Sequence, residues 1–478
     1  MRRATRGWWG LALLSVACGP AGGPTPPNEV PSSYSFLSRA GDGQSSVAYT
    51  GQTFRHVLIG EMKSYLGKLT ARIDNGFVPA TGDVAAELDF YYAFDAATSG
   101  DVEMALTSGF AAKQKLFKEL SASGAKLSDK IAGKDPVGQH KEWANGLRGW
   151  NGASSPEALV RTWFTQLDQL AVDRANGIVP LDPSGAPIGA VHVTAEGHDL
   201  RELLQKFLDG AVGYSQGADD YLDDDLPEKG LNSDHRQLLA GKPYTELEHT
   251  WDEGFGYFGA ARDFADYTAE EASAAGGRTE YAKGHHDTDG DGLIDLTSEY
   301  NFGHVVAAAK RDRTSAASAK TDFAREAFKA FLAGRYLLAT THGELTVAQK
   351  AELRGYRDGA LSNWEKGVAA STVHYINQVL QDMERFGTTE YKFTDHAKHW
   401  SELKAFALSL QFNRLSKLKE AQLDELHAKV GQAPVLANRS TADIESYKTA
   451  LRQAKGLLGQ VYGFDPANVG DDLGVNGW

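Results

Sequence analysis

Apolar positions recur every three to four residues along most of this chain, and that spacing predicts helices. In 198–222, Leu200, Leu203, Leu204, Phe207, Leu208, Ala211, Tyr214, Ala218, Tyr221 and Leu222 fall on one face. Ile444, Tyr447, Leu451, Ala454, Leu458 and Val461 do the same in 444–461. Phe323, Ala327, Phe331 and Leu338 carry the period through 323–338, and Trp400, Leu403, Phe406, Ala407 and Leu410 carry it through 400–410. No long run alternates with period two, so strands should be few and short. Start signals stand where the patterns begin. Ser155 places a capping hydroxyl before the first-turn Pro156, and Thr346 with Gln349 and Ser440 with Asp443 resemble capping boxes. The pattern predicts an all-α protein, a large helical bundle. It leaves open one bundle or two packed bundles dividing near residue 225, where the acidic "DDYLDDDLPEKG" reads as a solvated helix end.

Composition narrows the partners. The chain has 478 residues, 42% hydrophobic and 23% charged, enough for a large core in an ordinary globular protein. Its formal net charge of −14 opposes nucleic-acid binding and is compatible with attracting cations.

The first residues read as an address. Arg2, Arg3 and Arg6 precede a short apolar run around Trp8, Trp9, Leu11, Leu13 and Leu14, too short to span a membrane as a mature helix. "SVAC" ends at Cys18, the only cysteine, which is expected to carry a lipid; Ser15 stands where such signals usually have Leu. The expected divisions are a signal peptide 1–17, a Gly/Pro-rich tether 18–33, a helical domain 34–465 and a C-terminal tail 466–478. Gly19 lacks the Asp that retains many lipoproteins at the inner membrane, so the expected address is the outer membrane of the cell envelope, with the membrane as partner through the lipid.

One stretch breaks the helical pattern. "DTDGDGLIDLTSE" sets Asp287, Asp289 and Asp291 at positions 1, 3 and 5 of a calcium-type loop, with Gly292 at the sharp turn, the Leu293 carbonyl at 7 and Asp295 at 9. Glu299 arrives at position 13, one residue later than the bidentate glutamate of an EF-hand, and no helical pattern leads into Asp287. The reading is an isolated calcium loop inserted between helices, with Ile294 packed inward and a structural role. His285, His286 and His304 flank it and read as surface polar residues.

A second motif is "ELEHTWDEGFGYFGAARDF", 246–264. On a helix His249 lies beside Asp252 and Glu253, a possible half-site for iron or zinc, while Trp251, Phe255, Tyr257 and Phe258 pull the segment into the core. Buried carboxylates would then need partners. Glu365, His374, His399 and Glu402 are the donors from other helices that would complete such a site. A salt-bridged helix surface is the competing reading of each.

"SSVAYTGQTFRHVLIGEMKSYL", "EHTWDEGFGYFGAARDF", "DTDGDGLIDLTSEYNFGHVVAAAKRD" and "HWSELKAFALSLQFN" together resemble domain-of-unknown-function family 4856, an uncharacterised family of exported bacterial proteins. The resemblance implies one exported, lipid-anchored unit associated with iron-uptake envelope proteins. A looser likeness to imelysin-like iron-regulated proteins, whose signature is G-x-H-x-x-E, is limited here by the absence of its Gly and by Asp252 at its last position. Three functions follow: a lipid-anchored envelope protein assisting capture of iron, haem or another metal; a structural or protein-interaction lipoprotein with only a calcium staple; and a metal-dependent hydrolase, for which no linear motif supplies the ligands.

Overall fold

Each predicted start signal caps a helix. Ser155 Oγ accepts from Ala158 N at 3.2 Å, and Thr346 and Gln349 form a complete capping box. Ser440 Oγ accepts from Asp443 N at 3.1 Å but gives its hydroxyl to the Asp443 carboxylate, so that box is half made. A computed structural model of the protein describes residues 30–95, 97–121, 126–134 and 146–478. Among the described residues there are fourteen α-helices and no strand longer than an isolated bridge. The signal segment and Cys18 lie outside the described residues.

The helices that position the sites are α1 (Thr50–Asp74), α2 (Asp83–Tyr92), α3 (Pro156–Ala175), α4 (Leu200–Leu208), α5 (Glu246–Phe258), α6 (Gly303–Thr314), α7 (Phe323–Thr340), α8 (Val347–Glu384), α9 (Phe393–Ser409), α10 (Glu420–Val430) and α11 (Thr441–Tyr462). The face predicted over 198–222 continues past α4 as π-helical turns, Asp209–Tyr214 and Gly217–Tyr221.

The 38-residue α8 is the central post, packed along α6, α7, α9 and α11. Small residues permit the closest crossings. A Cβ at Gly367 of α8 would stand 2.7 Å from Ala308 Cβ on α6, and one at Gly334 of α7 would enter the Trp251 ring of α5. Trp364 sits at the crossing of these helices, against Phe258, Phe331 and Tyr214. Burying one large apolar side chain contributes about 1.5–3 kcal/mol.

Residues 31–478 form a single unit, and one apolar core runs from Tyr34 to Trp478 across residue 225. No boundary divides it there. The expected C-terminal tail is docked as well. Trp478 is buried, its carbonyl accepts from Asn377 Nδ2 at 3.2 Å, and its ring meets Phe464.

Candidate functional site

Asp287 folds the calcium-type loop on itself. Its two oxygens accept from Gly290 N at 2.7 Å and Gly292 N at 2.8 Å. Asp289 accepts from Asp291 N, and Asp291 from Leu293 N. The late glutamate still reaches the first turn. Glu299 N closes a turn onto Asp295 O at 2.8 Å, which sends its buried carboxylate back to Thr288 N, Thr288 Oγ1 and Asp295 N. Among the described residues, Asp287, Asp289 and Glu299 are the group of acidic or histidine side chains whose ligand atoms converge, all within 4.8 Å of one another. Opposite ligands of a calcium ion stand about 5 Å apart, at about 2.3–2.6 Å each, so the spacing fits that ion.

Asp291 and Asp295 fall outside this group. Asp295 is taken by Thr297 and Gln114 and stands 3.7 Å from Lys113. Leu293 is exposed, whereas Ile294 packs inward and bridges Ala112, exchanging backbone bonds with Ala111 and Lys113.

The flanking histidines differ from their reading as surface residues. His304 is buried and its Nδ1 accepts from Trp364 Nε1 at 2.9 Å. His286 donates to Asp263 at 2.8 Å and stacks on Tyr281. His285 packs between Phe110 and Tyr300. For His304 the reason is the path of the chain: the loop leads straight into α6, which is covered by α8.

The 246–264 motif forms α5, and its aromatic company does bury it. Asp252 is fully buried and turned toward Arg335 of α7, whose Nε donates to it at 2.8 Å. Arg335 also donates to Glu248 at 3.2 Å and to the Ser46 hydroxyl at 2.7 Å. Tyr34 and Ala48 N complete the Asp252 shell at 2.9 and 3.1 Å. His249 Nδ1 donates to Ala48 O at 3.0 Å, and Glu253 accepts from Gln52 at 2.9 Å. His249 and Asp252 thus grip the two sides of one residue in the chain before α1.

Most of the donors expected from other helices are bonded elsewhere, while His374 Nδ1 and Glu402 Oε2 have no hydrogen-bond partner. Glu365 accepts hydrogen bonds within its own buried cluster. His399 donates to Asp382 at 2.7 Å, Glu402 accepts from Tyr375 OH at 2.7 Å, and burial pulls the His374 imidazole well below its usual range. The structure does not gather them with His249. Arg335 is the residue that sequence reasoning missed. It was legible: it lies four residues after Phe331 and three before Leu338, on the apolar stripe of α7.

Acid should expose the buried imidazoles. Burial holds His304 at about 3 and His56 at about 4, below the ordinary 6.5. Each adds stability that is present above pH 6.5 and lost as pH falls through the folded value. Asp209, raised to about 6 by burial, acts in the opposite sense between about pH 6 and its ordinary 3.8. The expected result is that His304→Gln, which keeps an acceptor for Trp364, loses less melting temperature than wild type between pH 6.5 and 4. Equal losses would refute the assignment.

A family model described as Domain of unknown function (DUF4856) matches residues 31–274. That span contains α5 and ends before the calcium-type loop. No curated protein and no solved structure matches the chain.

Proposed function

For this chain, which belongs to the DUF4856 family, we propose a lipid-anchored, non-catalytic binding protein of the cell envelope whose helical body is pinned by one structural calcium ion. The convergence of Asp287, Asp289 and Glu299 carries the reading. All three offer hard oxygen ligands, the type that suits calcium rather than softer metals. Extracellular calcium modules bind at about 10⁻⁴–10⁻³ M, which suits constant occupancy outside the cell. The sequence around Cys18 supports the anchor. Capture of iron, zinc or haem at His249 is the weaker reading, because Asp252 is committed to Arg335, Glu253 to Gln52 and His249 to Ala48.

The loop connects the bundle to the segment before α3 through Ile294 and Ala112, and it ends where Tyr300–Phe302 lead into α6. A cation there would remove the repulsion among the loop carboxylates and fix that entry. At free calcium about 100 times the dissociation constant, binding adds about 2.7 kcal/mol. Wild type should therefore melt higher in calcium than in chelator, and Asp287→Ala with Asp289→Ala should abolish that difference. The difference is the readout because Asp287 also holds the turn through Gly290 and Gly292. A wild type that melts identically in both conditions would sink the calcium site.

A further inference from the structure

A pocket of about 290 Å³ lies where α1, α4 and α6 meet, with Tyr375 of α8 and Phe406 of α9 in its lining. α6 presents Gly303, Val306, Ala307, Lys310 and Arg311 to it, at the spacing of a single helix face. Lys63 of α1 and Lys206 of α4 also line it. Four cations around one small pocket are unexpected in a chain of net charge −14.

Arg311 is the decisive member. It is 6% exposed, and its Nε and Nη1 have no hydrogen-bond partner. The other buried arginines are engaged: Arg335 by Asp252 and Glu248, Arg357 by Asp358 and Asp224, Arg55 by Tyr257.

The carboxylates near Arg311 are directed to other partners, and Glu402 Oε2, which has no hydrogen-bond partner, does not reach salt-bridge distance of Arg311. Asp312, its chain neighbour, faces away and holds the start of α7 through Phe323 N at 2.8 Å and Ala324 N at 2.9 Å. Glu402 takes Tyr375 OH, Glu202 takes Lys63 at 2.7 Å, and Asp209 takes Gln205 at 3.1 Å. Among the described residues no carboxylate stands within salt-bridge distance of Arg311. Burial, with the Arg313 charge adding to it, pulls its guanidinium down to about 10, against the more distant pull of Tyr375, Glu402 and Asp312. An unpaired buried cation is costly, and an arginine fork is shaped for a carboxylate or phosphate.

We infer that this pocket binds a small organic anion, its carboxylate or phosphate group seated by Arg311 with Lys206 and Lys310, and its apolar part against Phe302 and Phe406. The inference deepens the reading of a binding protein and uses none of the calcium ligands. Tyr300, Asn301, Phe302 and Gly303, which follow the loop, form one wall.

The test is calorimetric titration of the full protein with citrate and, separately, with phenyl phosphate. Wild type should bind at least one of them, and the tighter one identifies the charged group as carboxylate or phosphate. Arg311→Gln should weaken binding about tenfold or more, which corresponds to about 1.4 kcal/mol. Lys206→Gln, on another helix, should weaken it too and keeps the test open if Arg311→Gln does not fold. Arg236→Gln, at an exposed arginine outside this lining, controls for the general loss of one charge. Absence of binding for both probes, or wild-type affinity in both Arg311→Gln and Lys206→Gln, would overturn the pocket assignment. Titration in calcium and in chelator separates the two sites. Anion binding without a calcium-dependent melt would leave this inference standing while removing the calcium staple, and the reverse result would do the opposite.

Discussion

An Arg335→Met protein is expected to unfold with about 3–5 kcal/mol less free energy than wild type, measured by urea titration. Arg335 is fully buried and serves Asp252, Glu248 and Ser46 together. Met fills a comparable volume, so the loss isolates charge and hydrogen bonding rather than a cavity. What remains is Asp252, fully buried, with Tyr34 and Ala48 N as its donors and no cation. Removing one partner of a buried pair costs more than the pair contributes net, because the stranded charge keeps its desolvation penalty. Combining Arg335→Met with Asp252→Asn should recover part of the loss, since the stranded charge is then gone. A single-variant loss below about 1 kcal/mol would mean that the network is not formed as described.

Glu365→Gln should cost about 2–4 kcal/mol, judged by the cost of leaving buried donors unsatisfied. The Glu365 carboxylate is buried and accepts from Tyr462 OH at 2.8 Å, Ser416 Oγ at 2.8 Å, Lys417 N at 3.0 Å, Tyr214 OH at 2.9 Å and Asn413 Nδ2 at 2.6 Å. These donors come from α11, the 413–417 turn and the π-helical segment after α4, so one carboxylate ties three parts of the chain to α8. An amide replaces one acceptor oxygen with an NH₂ that faces donors. On either orientation at least two donors lose their acceptor. Burial and the Glu365 charge also push both tyrosine hydroxyls well above their usual range, so neither can ionise to compensate. A stability change below about 0.5 kcal/mol would contradict the cluster. Loss of bound iron or zinc in the variant, with stability unchanged, would instead restore Glu365 as a metal ligand.

The sequence by itself determined the helices and most of their starts. Period and capping are local properties, and Ser155, Thr346 and Ser440 cap where their spacing requires. It determined the calcium-type loop too, because Asp287, Asp289 and Gly292 act on backbone groups within five residues. It also indicated that α5 would be buried, from Trp251, Phe255, Tyr257 and Phe258. Only the tertiary structure decided what the buried charges face. Asp252 and Arg335 are 83 residues apart, Glu365 and Tyr462 are 97 apart, and no local spacing encodes either pair. The same holds for the unpaired Arg311. From sequence it is one of several cations in "AAAKRDR", and it becomes a candidate ligand only because Asp312 turns to α7 and Glu402 to Tyr375. Periodicity tells which side of a helix is buried. The partner of a buried charge depends on which helix face arrives opposite it, and that is fixed only when the whole core packs.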